Sequence, residues 1–141
     1  LFFSPQTPPS PILSGLVGSE MCIRDRSTGA PFAAALTAGK PTVIEYTPTF
    51  VDGIGAPRVL PEMFSLARGL LDGAIVSTPE DIAAAVRIIA EQNHVISEGA
   101  GAASVAAALT GKAGTGKIAC VISGGNIDPQ KMIKILRGEV P

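Results

Sequence analysis

Apolar residues recur along one stretch of the chain at the spacing of an amphipathic helix. Ile82, Val86 and Ile89 stand at positions i, i+4 and i+7, which places them on one helix face running to about Asn93. The run Thr78-Pro79-Glu80-Asp81 marks the start of this helix. It offers a threonine cap, a proline suited to the first turn, and two acids that face the positive helix end. We therefore predict a helix with a well-defined beginning and one buried face.

The other apolar segments are short, and helical patterns alternate with extended ones. This alternation is typical of strands covered by helices, so the predicted fold class is α/β with a mainly parallel sheet and helices on both faces. The run 118–122 is the clearest strand, since continuous apolar sequence indicates burial on both faces. We predict the remaining helices over 32–37, 61–71, 101–109 and after Asp128-Pro129, and the remaining strands over 74–77 and 94–97. The run 43–46 is predicted to be a short strand or an extended segment.

The first 26 residues differ in character from the rest. Prolines crowd the first dozen positions, and no methionine begins the chain. A signal peptide is excluded because the first basic residue is Arg24, too late for a basic leading region. The run 16–26 closely resembles the translation of a sequencing-adapter read-through. We therefore expect 1–26 to be a foreign, unstructured leader and 27–141 to be the domain; the alternative is a natural proline-rich leader.

Composition excludes several classes of protein. Charged residues make up only 16% of the 141 positions and apolar ones 46%, which argues against disorder. A net charge of −1 and the lack of basic runs argue against nucleic-acid binding and charge-driven membrane recruitment. The two cysteines, Cys22 and Cys120, are far apart and form no metal-binding pattern. Cysteines of this kind are typical of a reducing compartment, so we expect a cytoplasmic protein. From the net charge and the lack of basic runs we expect neither nucleic-acid nor membrane partners.

Polar, glycine-rich sequence follows two of the predicted strands. The run 94–97 leads into Glu98-Gly99, and the run 118–122 leads into Ser123-Gly124-Gly125-Asn126. Ligands of open α/β sheets bind at the carboxyl ends of strands, and glycines let the backbone come close to a flat ligand. This predicts a pocket at these ends. The alternative is that the glycines only make tight turns and that Asp128 only caps a helix.

A family resemblance favours the pocket. Three motifs, Asp52-Gly53-Ile54, Glu98-Gly99-Ala100-Gly101-Ala102 and Ser123-Gly124-Gly125-Asn126-Ile127-Asp128, resemble in order and spacing the distal half of threonine/serine dehydratases. These enzymes belong to the tryptophan-synthase-β-like class that uses pyridoxal 5'-phosphate. The likeness runs from about residue 27 to residue 141. It implies that this segment is the C-terminal part of the catalytic, large domain of such an enzyme.

The resemblance also implies roles for five cofactor-binding residues. Ser123 would donate a hydrogen bond to the pyridine nitrogen of the cofactor, which leaves the ring neutral and suited to β-elimination. Glu98 would lie beside the ring; its alternative role is to cap the following helix. Gly124, Gly125 and Asn126 would shape the wall behind the ring. The segment Asp52-Gly53 would border the site, either in contact with the ligand or as a plain turn.

The same comparison indicates what this sequence lacks. The family's Schiff-base lysine and its phosphate-binding glycines belong to upstream motifs that do not occur here, and none of the five lysines has a matching context. We therefore assign no catalytic residue and expect the chain as given to be inactive. The acidic pair with which some members bind a divalent cation is lost at the junction before Ala30-Pro31. We accordingly predict no metal site.

Two classes of function remain open at this stage. The first is a fragment of a dehydratase that converts a small hydroxy amino acid into a 2-oxo acid, its parent being a homo-oligomer. A racemase or another lyase of the same fold is an alternative within this class. The second is a small α/β domain that binds a ligand or partner without catalysis. A start codon near residue 1 would favour the second, and an upstream lysine motif in frame would favour the first.

Two further motifs are expected to carry no function. The run Gly111 to Lys117 imitates a nucleotide-binding loop, but Ile118 replaces the required Ser or Thr, and the loop precedes a predicted strand instead of a helix. His94 stands alone, without the second histidine or the cysteine that a metal site would need. We expect a plain loop at the first and a surface histidine at the second.

Overall fold

A computed structural model describes residues 22–114 and 116–141. Helices and strands alternate along this part of the chain, as the sequence predicts for an α/β protein. The elements are β1 (Cys22–Arg26), α1 (Pro31–Ala38), a 3-10 turn (Asp52–Ile54), α2 (Pro61–Ala67), β2 (Gly73–Ser77), α3 (Pro79–Ile88) with a π-helical extension (Ile89–Asn93), α4 (Gly99–Leu109) and α5 (Pro129–Leu136).

The two strands form a parallel pair in which Cys22 lies opposite Gly73 and Arg26 opposite Ser77. The predicted strand over 74–77 is thereby confirmed as part of β2. Strand β1 lies inside segment 1–26, which the sequence predicts to be foreign and unstructured. Its residues 22–26 are a strand, whereas residues 1–21 lie outside the described part. The foreign origin of the segment stays a prediction.

The core forms where α3 packs against α4. The helix face predicted from Ile82, Val86 and Ile89 is fully buried. Alanines dominate the facing side of α4 and let the two helix axes approach closely, while Met132 and Ile135 of α5 close one end. Phe50 and Val51, which precede the 3-10 turn, add two more large residues to this cluster.

Of residues 43–46, predicted as a short strand or an extended segment, Ile44 N donates to the carbonyl oxygen of Pro57 at 2.8 Å without forming a ladder. Two other predicted strands are wrong: residues 94–97 and 118–122 form no ladder with any described residue, and His94 has a left-handed φ of 56°. Val121 is 66% exposed and Ile96 56% exposed, so the expected burial of these runs is also absent. An apolar run becomes a strand only where a neighbouring backbone pairs with it, and the described residues supply none here. Helix α2 also ends at Ala67, earlier than the predicted Leu71.

Strand β1 buries two charged side chains. The Asp25 carboxylate accepts a hydrogen bond from Ala33 N at 2.8 Å. The fully buried Arg26 donates to Thr49 Oγ1 and stacks its guanidinium 4.7 Å from the Tyr46 ring centre, but its Nε and Nη2 have no partner among the described residues. Buried charges without full compensation destabilise a fold. Burial of these two charges in β1 therefore lowers the free energy of unfolding.

Burial raises the pKa of Asp25 above its ordinary value of 3.8, against the smaller effect of backbone hydrogen bonds from Ala33 and Phe32. The folded chain then keeps a proton that the unfolded chain releases. The contribution of Asp25 to the free energy of unfolding is therefore greatest below 3.8 and is lost as the pH rises through the raised pKa.

Asp25→Asn removes this charge and keeps an oxygen that can accept from Ala33 N. We expect the variant to be more stable than the original chain near neutral pH, with no such gain below the ordinary aspartate pKa. Urea unfolding at the two pH values measures the difference, and exposed Glu62→Gln is the control. Lower stability of Asp25→Asn near neutral pH would contradict the assignment.

Helix α3 begins with the predicted cap. Thr78 Oγ1 accepts from Asp81 N at 3.1 Å, and Asp81 Oδ2 accepts from Thr78 N at 3.2 Å. These two bonds satisfy two donors at the helix start. Because α3 supplies much of the core, its first turn supports the packing of α4 as well.

Replacing the cap, Thr78→Ala, should lower the free energy of unfolding by about 1 kcal/mol, since the amide of Asp81 loses its acceptor. Urea denaturation compares it with Thr37→Ala, whose exposed hydroxyl only donates to a carbonyl within α1. Equal stability of the two variants would show that the cap contributes nothing.

Candidate functional site

Two of the predicted site segments lie side by side. The backbone N–H of Glu98 donates to the carbonyl oxygen of Gly124 at 3.1 Å. This bond joins the loop before α4 to the glycine-rich run that starts at Ser123. The two motifs are far apart in sequence, and the structure brings them together as predicted.

Glycines make this close approach sterically feasible. A Cβ on Gly101 would lie 1.6 Å from the carbonyl oxygen of Ser123 and 2.8 Å from Ser97 Oγ. A Cβ on Gly125 would lie 2.9 Å from the carbonyl oxygen of Ile96. Side chains at either position would separate the segments, so the glycines are required for space. Gly124 differs because its φ of 66° is itself in the left-handed region that favours glycine.

Glu98 is the residue before the first turn of α4 and is half-buried. Its carboxylate makes no capping hydrogen bond to the helix, so the alternative role as a side-chain cap is not seen. The carboxylate instead lies over Gly124, where an added Cβ would be 2.5 Å from Oε1. The charged group is thus available to a ligand beside the glycine-rich run.

A cleft of about 350 Å³ opens next to Glu98. Of the five predicted cofactor-binding residues, Glu98 and Asn126 line it, whereas Ser123, Gly124 and Gly125 do not. Asp52 also lines the cleft, so the third motif borders the site. The full lining consists of Phe50, Asp52, Glu98, Asn126, Ile127, Asp128, Pro129 and Lys131.

The Ser123 side chain is exposed, and the described residues offer its hydroxyl no hydrogen-bond partner. Asp128, by contrast, is engaged: its carboxylate accepts from Gln130 N at 2.7 Å and caps α5. The simpler interpretation of Asp128 as a helix cap is therefore confirmed. Among the polar groups of this run, the Ser123 hydroxyl is left available to a ligand.

Sequence reasoning missed several residues of the site. Phe50 and Lys131 line the cleft, and Gly101 sets the approach of Ser123 to α4. The sequence signal for Gly101 is its place inside an alanine-rich helix. Glycine weakens a helix, so it is expected there only where a side chain would not fit. Phe50 and Lys131 give no comparable signal, because an apolar residue in a loop and a lysine on a helix are ordinary.

The remaining sequence motifs lie elsewhere. Residues 111–114 form a turn after α4, where Lys112 Nζ donates to the carbonyl of Val76 at 2.9 Å; Thr115 lies outside the described residues. His94 is exposed with a φ of 56°, as expected of a surface residue. A wider depression of about 600 Å³ beside α1 contains none of the predicted site residues.

The sequence profile of pyridoxal-phosphate-dependent enzymes matches residues 16–124. The chain belongs to this family. The match includes the Glu98 and Ser123-Gly124 segments that the structure joins. It begins inside segment 1–26, whose origin stays a prediction.

Curated relatives point in the same direction. The chain is 38% identical over 104 residues to an L-threonine ammonia-lyase of Thermotoga maritima, covering 73% of this chain and 26% of the relative. It is 32% identical over 107 residues to a catabolic L-threonine dehydratase of Escherichia coli, covering 73% and 32%. The chain therefore spans about a quarter to a third of the length of these relatives.

Solved structures share the fold. A processed threonine deaminase of Solanum lycopersicum superposes with a TM-score of 0.77 at 23% identity, covering 86% of this chain and 35% of that one. A maize serine racemase gives 0.72 at 24%, covering 89% and 42%. The tryptophan-synthase-β-like α/β fold that the sequence predicts is thus confirmed. None of the helices in the described ranges has the length and hydropathy needed to cross a membrane.

The residues present fit one side of a bound pyridoxal phosphate. A flat ring needs a wall without side chains, which Gly124 and Gly125 would provide, and a hydrogen-bonding group at its nitrogen, for which the Ser123 hydroxyl, unpartnered among the described residues, would serve. When bound, this cofactor supplies an electron sink for bonds broken at the α-carbon of an amino acid. The chain's own residues would hold and orient the ring.

Gly101→Ala tests the packing that places Ser123. A Cβ overlapping a backbone oxygen forces the chain to shift. We therefore expect the free energy of unfolding to fall by about 1–3 kcal/mol, although alanine has the better helix propensity. Gly69→Ala is the matched control, because nothing lies within 4 Å of its added Cβ. Urea denaturation of both variants measures the difference; a Gly101→Ala chain as stable as the control would contradict the geometry.

Proposed function

We propose that this chain forms one wall of the active site of a threonine or serine dehydratase. The observation that carries the proposal is the backbone hydrogen bond from Glu98 N to Gly124 O, which joins the segment of the Glu98 carboxylate to that of the exposed Ser123. Relatives named threonine ammonia-lyase support the choice of reaction. Threonine would be converted to 2-oxobutanoate and ammonia, and serine to pyruvate and ammonia.

Each predicted residue has a proposed task in this reaction. Ser123 would donate a hydrogen bond to the pyridine nitrogen of the cofactor. Held by a neutral hydroxyl, the cofactor would supply a weaker electron sink, which suits β-elimination. Glu98 would lie beside the cofactor, and Gly124, Gly125 and Asn126 would form the wall behind it. The substrate is a small amino acid.

We further propose that the 141-residue chain is inactive by itself, because none of its five lysines stands in the sequence context of the family's catalytic lysine. The catalytic protein would be the complete polypeptide of this reading frame, a cytoplasmic homo-oligomer. Incubation of the chain with pyridoxal phosphate and threonine should yield no 2-oxobutanoate. Production of 2-oxobutanoate by the chain alone would disprove this.

Ser123→Ala in the complete polypeptide is the direct test of the ring-nitrogen contact. Loss of one neutral hydrogen bond, about 1 kcal/mol, predicts a fall in turnover of about fivefold, while the visible absorbance of the bound cofactor persists. Ser65→Ala on the exposed face of α2 is the control. Unchanged turnover would remove Ser123 from this role.

The same assay separates the dehydratase from other enzymes of this fold. Formation of 2-oxo acids from L-threonine and L-serine is measured beside the appearance of the D-enantiomers by chiral chromatography. We expect the 2-oxo acid to be the main product. Racemisation without 2-oxo acid formation would overturn the proposed reaction and leave the family assignment intact.

A further inference from the structure

The Glu98 carboxylate lies between two glycines that come from different parts of the chain. On one side is Gly124, over which a Cβ would lie 2.5 Å from Oε1 and 2.6 Å from Cδ. On the other is Gly53 in the 3-10 turn 52–54, where a Cβ would lie 3.3 Å from the same oxygen. The carboxylate thus occupies space that a side chain at either position would enter, and no hydrogen bond to the described residues holds it.

Gly53 is not required there by its own backbone. Its φ lies outside the left-handed region, unlike that of Gly124, so other residues could adopt its conformation. Gly53 is also exposed in a short turn that any small polar residue would suit. What distinguishes the position is the lack of space beyond the Cα.

We infer that Gly53 is a positioning residue for the Glu98 carboxylate. The lack of a side chain at residue 53 lets the carboxylate occupy the space between the turn and the glycine-rich run. A methyl group there would stand 3.3 Å from Oε1, a contact that the carboxylate would relieve by moving a few tenths of an ångström. The significance for catalysis rests on the proposed function, in which Glu98 borders the cofactor ring.

A second contact has to be separated from this one. The same added Cβ would lie 2.8 Å from Ala100 Cβ in the first turn of α4. Gly53→Ala alone would therefore disturb helix packing as well as Glu98, and a simple loss of stability would not distinguish the two. Ala100→Gly removes the packing conflict and leaves the carboxylate as the nearest neighbour of the new methyl group.

The experiment follows the Glu98 side chain in the full chain, without cofactor. The carboxyl ¹³C resonance of Glu98, assigned through Glu98→Gln, is compared between Ala100→Gly and the double variant Gly53→Ala/Ala100→Gly. We expect this resonance to move by several line widths in the double variant. Gly69→Ala, whose new methyl meets nothing within 4 Å, should leave it in place.

Rescue by a shorter acid provides an independent readout. Glu98→Asp withdraws the carboxylate by one methylene, so the destabilisation that Gly53→Ala causes in the Ala100→Gly background should fall by at least half. An unmoved Glu98 resonance, or a destabilisation that Glu98→Asp leaves unchanged, overturns the inference. Because no cofactor is present, neither outcome depends on the Ser123 assignment, which the turnover assay tests separately.

Discussion

The site depends on one close approach, that of the backbone at Ser123 to the first turn of α4. It is feasible only because residue 101 is a glycine, since a Cβ there would overlap the Ser123 carbonyl oxygen at 1.6 Å. The same approach allows Glu98 N to bond the Gly124 carbonyl, which sets the Glu98 carboxylate beside the glycine-rich run. The positions of the Ser123 and Glu98 segments, which carry the two polar groups of the proposed cofactor wall, therefore both depend on the lack of a side chain at residue 101.

The rest of the fold supports this contact from behind. Helix α4 can present its first turn to residues 123–125 because α3 holds its opposite face through a dense set of buried residues. The two-stranded sheet is less favourable, since β1 buries the charged Asp25 and Arg26, and two Arg26 nitrogens have no hydrogen-bond partner among the described residues. Extended runs at 94–97 and 118–122 also expose apolar side chains. Among the described residues, the helices around the site therefore leave fewer buried polar groups without a hydrogen-bond partner than the sheet does.

Much of the site could be predicted from sequence because its motifs are local. Glycine, serine and acid in fixed order after apolar runs indicated a ligand pocket, and the Glu98 and Ser123 segments are indeed neighbours. The strand assignments at 94–97 and 118–122 failed for a reason that also has a physical basis. A strand is defined by its partner, and a periodic pattern carries no information about which backbone lies alongside.

The helices and most of their starts followed from sequence alone, because capping and 3.6-residue periodicity act within a few residues, whereas the predicted end of α2 at Leu71 was wrong. Thr78 begins α3, Asp128 begins α5, and Gly39 ends α1 with a left-handed φ of 68°. Only the tertiary structure decided which residues surround the Glu98 carboxylate. Gly53, Gly101 and Gly124 act there through the space they leave, and that space exists only once separate segments have packed together.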